Sequence, residues 1–191
     1  WTELHPQAPQ FFFVPKDFSL REEYEKGFCI DELMKVNAAG VKTHHDAELI
    51  STTPFDIENN QPYAYRVLDN QWINYDLSKV ERHRFGLMRH LMNHNIALSV
   101  SRQCIGDWHY VFVSKFITDI NFIASAGKLG GGNVFPLYLY PDNGQPAIDG
   151  DGRVPNLNKE IWDKIENIVG QVTPEQIFDY IYGVLHTPSY R

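Results

Sequence analysis

The sequence lacks several features that would place it in a familiar class. Its 191 residues hold only two cysteines, Cys29 and Cys104. Two are too few for a disulfide framework and fit reduced thiols in a cytoplasmic protein. No apolar run approaches the roughly 20 residues that a membrane-spanning helix needs. Acidic side chains outnumber basic ones by 24 to 17, which gives a net charge of −7. We therefore expect a cytoplasmic protein without membrane contact, basic on one face at most.

The signatures of a self-sufficient enzyme are missing as well. There is no G-x-S-x-G motif, no G-x-G-x-x-G fingerprint, and no local pairing of a cysteine with a histidine. The stretch GKLGGGN places Lys128 before its glycines, which is the wrong order for a phosphate-binding P-loop. His90 and His94 have metal-pair spacing, but Leu91 stands where a catalytic zinc helix carries glutamate. The sequence therefore predicts no catalytic residue, metal or cofactor in this chain.

The composition predicts one folded domain. Hydrophobic residues make up 43% of the chain and aromatic residues 14%, enough for a packed core. The chain opens at Trp1 without an initiator Met or a signal-peptide core, and it stops at Arg191 soon after a helical pattern. We therefore expect residues 1–191 to be a single domain cut from a longer chain, with residues 1–37 as a helical opening segment.

Local patterns predict a mixed α/β (α+β) fold. Flanking helices would cover a central mixed or antiparallel sheet of roughly five to six strands. Strands are indicated by AELIS, by the alternation from Tyr63 to Tyr75 with a turn at LDNQ, and by IALSVS, HYVFVSKFI and VFPLYLYP. Pro136 favours an edge or a bulge, and Gly40 is expected to be a flexible joint.

Two helices are predicted at the C-terminus. Asn158 would cap the first, which would end at Gly170, and Thr173 with Pro174 would begin the second.

The stretch KVERHRFGLMRHLMNHN, Lys79 to Asn95, is the main functional candidate. It gathers four basic residues and three histidines, and Ser78 with Glu81 has the spacing of a helix-capping box. On a helical wheel one side is apolar and the other carries Arg82, His83, Gly86, Arg89, His90, Asn93 and His94. Arg84 falls among the apolar residues, so we expect it to serve a buried carboxylate. The basic side is either a solvated face or a nucleic-acid surface, and the pattern alone leaves both open.

Several segments, in order, resemble the C-terminal specificity region of type ISP restriction–modification enzymes. They are FFFVPKDF with EYEKG, AAGVKTHHD, YRVLDNQWINYD, RHRFGLMRHL, ALSVSRQ, FPLYLYPD, VPNLN and PEQIFDYIYGVLHTPSYR. The resemblance runs from about Phe11 to Arg191, and the last segment is the most specific. It departs at Val67-Leu68, where the family usually has Pro-Phe, at Gln71 in place of an arginine, and at His44-His45 in place of Gly-Arg.

The resemblance implies a DNA sequence-recognition domain that delivers a target site to an adjacent adenine-N6 methyltransferase. Its partners would be double-stranded DNA and that methyltransferase domain of the parent chain. S-adenosylmethionine, and ATP with Mg, would belong to the parent, because the Asn-Pro-Pro-Tyr motif of the methyltransferase is absent here. The candidate DNA-binding residues are Lys42 and Thr43 in the turn, Arg82, Arg89, His90 and Asn93 in the predicted helix, and Arg102 and Gln103 after a strand.

Two other functions remain open from the sequence. One is a protein–protein docking module of the same kind of enzyme, in which the C-terminal helices hold the methyltransferase and the basic face is solvated. The other is a small metal-dependent hydrolase that uses His90, His94 and either His44 or His45.

Overall fold

The computed structural model describes residues 22, 25–103, 110–125, 127, 130–141 and 152–187. The chain divides into two compact units, Trp1–Ile30 and Asp31–Arg191. Most of the predicted opening segment 1–37 lies outside the described residues, so its helical character stays a prediction. The segment FFFVPKDF, Cys104 and Lys128 lie outside them too.

The helices are short except at the C-terminal end. They are α1 (Ile30–Leu33), α2 (Asp46–Leu49), α3 (Phe85–Met88) with a following 3₁₀ helix (Arg89–Met92), α4 (Lys159–Val169) and α5 (Pro174–His186). The strands are β1 (Ala38–Ala39), β2 (Ile50–Ser51), β3 (Asn60–Arg66), β4 (Asp69–Asn74), β5 (Ala97–Ser101), β6 (Val111–Ser114), β7 (Ile117–Thr118), β8 (Gly132–Pro136), β9 (Tyr138–Leu139) and β10 (Val154–Pro155).

Within the described residues, the strands form two four-stranded sheets and a two-stranded ribbon. The first sheet has the order β1-β8-β5-β6 and is antiparallel throughout. The second has the order β2-β4-β3-β7, in which only the β3–β7 pair is parallel. Strands β9 and β10 form the ribbon. The predicted mixed α/β class is confirmed, although the strands are shared between two sheets instead of one.

Pro136 lies where the chain passes from the first sheet into the ribbon. The sequence predicted one strand through VFPLYLYP, but β8 ends at Pro136 and the chain continues as β9 in the ribbon. Proline has no N–H to donate to a ladder, so it commonly ends strands. Leu137, the next residue, donates its N–H to the carbonyl oxygen of Ile96, which directly precedes β5, at 2.8 Å.

Gly40 lies where the two sheets approach each other. Its N–H donates to Gly132 O at 3.2 Å, and the next residue, Val41, donates to Thr118 O at 2.8 Å. A Cβ atom at Gly40 would lie 2.5 Å from the carbonyl carbon and oxygen of Asp119. The structure therefore corrects the expected flexible joint, because this glycine is buried and permits a close contact between two backbones.

A cluster of buried hydrophobic residues joins both sheets and the short helices. Its members come from strands, turns and α3 alike: Val41, Leu49, Tyr63, Ile73, Tyr75, Val80, Leu87, Met88, Leu91, Ala97, Ile117 and Val134. Leu87, Met88 and Leu91 belong to the apolar side that the helical wheel predicted. Burial of these side chains is the main stabilising contribution to the fold.

Both C-terminal helices begin and end where the sequence predicts. The Asn158 side chain accepts the Glu160 N–H at 3.0 Å, and Gly170 ends α4 with φ +86°. Thr173 and Gln176 form a reciprocal capping box at the start of α5. Within the described ranges, no helix is long and apolar enough to cross a membrane.

Candidate nucleic-acid interface

The segment from Lys79 to Asn95 is not one continuous helix. Ser78 donates its N–H and its hydroxyl backwards to Asp76 Oδ1, at 3.0 and 2.7 Å, and so does not cap a helix. Arg84 has φ +53°, and the α-helical turn begins only at Phe85 before it tightens into the 3₁₀ helix. The predicted helix is therefore wrong in its first half. Hydrogen bonds of a local turn and a backbone pairing with Lys42 replace it there.

That pairing places two of the predicted DNA-binding residues directly opposite each other. Lys42 and Arg82 form an antiparallel bridge, in which Lys42 N–H donates to Arg82 O at 3.2 Å and Arg82 N–H donates to Lys42 O at 3.0 Å. Opposed residues of an antiparallel pair point their side chains to the same side, with Cβ atoms about 5 Å apart. Two cations are thus held together on one surface.

A cleft of about 410 Å³ adjoins this pair. It is lined by Ala38 and by residues 81–87, which include Arg82, His83 and Arg84. Arg82 and Arg84 are exposed. A Cβ atom at Gly86 would meet nothing within 4 Å, so this side of the cleft is open. The acidic Glu81 also lines the cleft. Its Oε2 atom lies 3.2 Å from His44 Nε2.

Arg102 and Gln103 are both exposed at the end of β5. Three backbone hydrogen bonds lead from this end towards Lys42: Arg102 N to Gly131 O at 3.1 Å, Gly132 N to Ile120 O at 3.2 Å, and Ile120 N to Val41 O at 2.8 Å. Paired strands are about 4.8 Å apart, so three steps span roughly 15 Å. With the Lys42–Arg82 bridge as a fourth step, Lys42, Arg82, Arg102 and Gln103 lie on neighbouring backbone segments that together span roughly 19 Å, more than the width of a DNA major groove of about 12 Å.

The other four predicted residues are held by contacts within the protein. Arg89 Nη1 donates to Tyr140 O at 2.9 Å, and His90 Nδ1 accepts the Tyr140 N–H at 2.9 Å. His90 is only 3% exposed and Thr43 only 1%, with the Thr43 hydroxyl bonded to Asp46. The Asn93 amide donates to Arg89 O at 3.1 Å. Contact with DNA stays a prediction for these residues and would require some of these hydrogen bonds to open.

The described histidines named as metal candidates do not assemble into a metal site. His90 Nδ1 accepts a backbone N–H, and His94 Nδ1 lies 3.4 Å from an arginine nitrogen of Arg153. In the part of the chain that the structure describes, no group of three His, Cys, Asp or Glu residues could hold a metal ion. The geometry therefore gives the metal-dependent hydrolase no support.

A buried polar network supports the β3–β4 hairpin, and sequence reasoning missed it. Asp119, 3% exposed, receives the Tyr63 hydroxyl at 2.6 Å and Arg66 Nη1 at 2.8 Å. The Arg66 guanidinium also lies 3.8 Å over the ring of Tyr65. The buried carboxylate expected to need an arginine is thus Asp119, and its partner is Arg66. Arg84, the residue proposed from the sequence, is exposed. The only signal was an acidic residue directly after an apolar strand.

Burial controls the titration of Asp119. It raises the pKa of this carboxyl, and it outweighs the hydrogen bonds from Tyr63 and Asn121 and the positive charge of Arg66. Because the pKa is higher in the folded state than in the unfolded chain, the folded state binds this proton more tightly. The contribution of Asp119 to stability should therefore increase as the pH falls from above the folded pKa towards the unfolded value of about 3.9. It should be lost again as the pH rises.

Urea unfolding of the wild type and an Asp119→Asn variant over a pH series would measure this effect. The wild type should gain stability relative to the variant as the pH falls, since the asparagine does not titrate. A relative loss would mean that Arg66 holds the pKa of Asp119 below its ordinary value, contrary to the expected direction.

The profile of the Type ISP C-terminal specificity domain matches residues 34–191. The chain belongs to this family. The match covers most of the unit Asp31–Arg191 and all the segments on which the resemblance was based from residue 38 onwards. Among curated proteins, no match was found for this specificity domain.

Solved structures of large enzymes share the fold of this specificity domain. The DrdV–DNA complex matches with a TM-score of 0.68 at 15% identity, over 83% of this chain and 20% of that one. The ATP-dependent Type ISP restriction–modification enzyme LlaBIII bound to DNA gives 0.65 at 16% identity, over 87% and 14%. A nuclease-deletion mutant of the Type ISP enzyme LlaGI, in complex with a DNA substrate mimic, gives 0.67 at 14% identity, over 100% and 22%. The specificity domain thus spans about a fifth or less of each of these polypeptides.

Proposed function

We propose that this specificity domain recognises a target sequence in double-stranded DNA and presents it to an adjacent adenine-N6 methyltransferase domain of the parent chain. The domain itself would supply binding and no catalysis. S-adenosylmethionine, and ATP with Mg, would be used by other parts of the parent. Membership of the Type ISP specificity family supports this role, and so does the likeness to three structures of complexes with DNA or a DNA mimic.

The opposed pair Lys42 and Arg82 is the observation that carries the proposal. Like charges placed directly opposite on paired strands are destabilising, so the two positive side chains do not stabilise the fold. A polyanion bound across the pair would remove that repulsion and gain charge-assisted hydrogen bonds. Arg84 extends the positive surface along the cleft, and the exposed Arg102 lies on a backbone segment that hydrogen bonds link to Val41 through Gly131–Gly132 and Ile120.

The proposed division of labour follows from the chemistry of these side chains. Lys42, Arg82 and Arg84 would contact phosphates and so position the duplex. Arg102 and Gln103 are exposed side chains of the types that bond guanine and adenine edges in the major groove, and they would contribute to the choice of sequence. A net charge of −7 repels DNA. The affinity for DNA would therefore depend on this positive surface.

Reversing the charge of this surface should weaken DNA binding strongly. We expect Lys42→Glu/Arg82→Glu to bind a randomised duplex pool about 100-fold more weakly, since two charge-assisted contacts of about 1.5 kcal/mol each are lost. The slope of log affinity against log salt should fall by about 2 units. Fluorescence anisotropy from low to physiological salt measures both quantities.

The matched control is Lys159→Glu/Lys164→Glu on α4, which changes the net charge by the same amount. Both lysines are exposed, and the ion pair of Lys159 with Asp163 is of the solvated kind that contributes little. The control should bind almost as well as the wild type. Equal losses in the two double variants would show that only net charge matters and would remove the assignment of the surface to Lys42 and Arg82.

A second candidate role is docking onto the rest of the parent chain. None of the residues of α4 (159–169) is buried, and Ile168 and Val169 are 84% and 64% exposed. On α5, Tyr180 is 74% exposed. Exposed apolar side chains of this size favour a protein contact, which the methyltransferase domain would supply without excluding DNA binding.

A further inference from the structure

The tip of the β3–β4 hairpin carries an unusual leucine. Arg66 pairs with Asp69, so Val67 and Leu68 form the two-residue turn between the strands. The Leu68 side chain is 99% exposed and its φ is +63°. A left-handed backbone costs a residue with a Cβ atom about 1–2 kcal/mol, and glycine or asparagine is the ordinary occupant of such a turn position. Leu68 thus combines a strained backbone with a fully exposed apolar side chain, neither of which stabilises the fold.

The base of this turn is firmly held. Val67 N–H donates to Phe122 O at 3.1 Å, which ties the turn to the loop that follows β7. Arg66 is anchored on Asp119, and the preceding residues of β3, Tyr63 and Ala64, are completely buried. Leu68 therefore projects from a rigid support, and its exposure does not come from a loosely attached loop.

The residues that follow Leu68 in the chain are polar. Asp69 and Asn70 are exposed, and the Arg66 side chain is 37% exposed. The Gln71 amide donates to both carboxylate oxygens of Asp69, at 3.2 and 3.1 Å. A protein-docking face would need a contiguous apolar patch. A fully exposed aliphatic side chain at a turn tip, followed by hydrogen-bonding groups, instead suits insertion between stacked bases.

The turn follows the C-terminal end of β3, and the segment that bears Lys42 lies at the same end of the sheet. Strand β7 runs parallel to β3, and Val41 forms a parallel bridge with Asp119, so these three segments end at the same edge. Two strand spacings separate β3 from Val41, which is roughly 10 Å. Beside the turn, a cleft of about 470 Å³ is lined by Arg66, Val67 and residues 121–125. It leaves space for a nucleic-acid backbone to pass.

We propose that Leu68 is a wedge that inserts between two base pairs of the bound duplex and unstacks them. This inference rests on the proposed function and adds to it, because it assigns DNA distortion to a residue that makes no phosphate contact. A base that is to be methylated must leave the helical stack, and separating neighbouring base pairs lowers the energy needed for that step. The strained turn of the free protein keeps the wedge extended before DNA arrives.

The test uses Leu68→Gly, which removes the side chain and relieves the backbone. This variant should unfold at the same temperature as the wild type or higher, since glycine adopts a positive φ without strain. The probe is a duplex selected from a randomised pool by the wild-type chain, with 2-aminopurine at successive positions to report unstacking by fluorescence. The wild type should raise the fluorescence at one step. Leu68→Gly should lose that rise and bind about tenfold more weakly, and Leu68→Phe should keep both.

The outcomes separate the wedge from the proposed function. If Leu68→Gly binds and unstacks the duplex as the wild type does, the wedge is refuted while DNA recognition stands. If Leu68→Gly behaves normally on DNA but binds the purified methyltransferase domain less well, Leu68 is a protein contact and the inference is overturned. If the wild type selects no duplex from the pool, the proposed function fails and the wedge fails with it.

Discussion

Gly40→Ala should lower the free energy of unfolding by about 4 kcal/mol, well beyond the usual cost of an added methyl group. The new Cβ would lie 2.5 Å from Asp119 C and O and 2.6 Å from Ile120 N. All three atoms are backbone. Asp119 N–H donates to Ala64 O and Ile120 N–H to Val41 O, so neither residue can shift without loss of these bonds. Urea denaturation measures the loss, and the melting temperature should fall by roughly 10 °C.

The same substitution at two other glycines is the control. A Cβ at Gly86 or at Gly183 would meet nothing within 4 Å. Gly183 lies inside α5, where alanine should stabilise the helix by about 0.5–1 kcal/mol relative to glycine. If Gly40→Ala were as stable as Gly183→Ala, the two sheets would not be in close contact at this glycine.

Asp119→Ala should cost about 3 kcal/mol, because it leaves the buried Tyr63 hydroxyl without an acceptor and breaks the ion pair with Arg66. Tyr63 is 0% exposed, so water cannot replace the lost carboxylate there. Arg66 is 37% exposed, so solvent reduces its share of the loss. The freed Arg66 should also loosen the hairpin tip. Urea unfolding of the variant beside the wild type gives the free energy.

A double-mutant cycle with Tyr63→Phe distinguishes this cause from simple loss of packing. Tyr63→Phe removes the hydroxyl donor and keeps the ring, so Asp119→Ala should cost less in that background by about 1 kcal/mol or more. Additive losses would mean that the Tyr63–Asp119 hydrogen bond does not contribute to stability. Asp56→Ala, at an exposed site, controls for removal of a carboxylate and should change stability by less than about 0.5 kcal/mol.

The parts of the fold that could be predicted are those determined by neighbouring residues. The C-terminal helices begin at Asn158 and Thr173, as predicted, because a cap bonds N–H groups only two or three residues away. The β3–β4 hairpin and strand β5 were predicted from alternation. The close approach of the two sheets could not be predicted, because it depends on Gly40 meeting Asp119, 79 positions further along the chain.

The candidate site shows the same limit. The helical wheel assumed a helix from Lys79, but Arg82 pairs with Lys42 in an antiparallel bridge and the helix begins only at Phe85. The wheel therefore grouped Arg82 with Arg89 and His90, which bond the segment around Tyr140 instead. Lys42 and Arg82 were both chosen from the sequence, yet nothing in it indicated that they are neighbours. Nothing in the sequence indicated the positive φ of Leu68 either.

The bridge between Lys42 and Arg82 has a consequence for how freely the side chains at these two positions can change. The two segments are joined by N–H and C=O groups, which every residue except proline possesses, and not by the side chains that face outward. Evolution can therefore exchange the outward side chains at these positions while the framework beneath them is retained. Point substitution at these two positions can therefore tune the strength of the proposed phosphate contacts without a new scaffold.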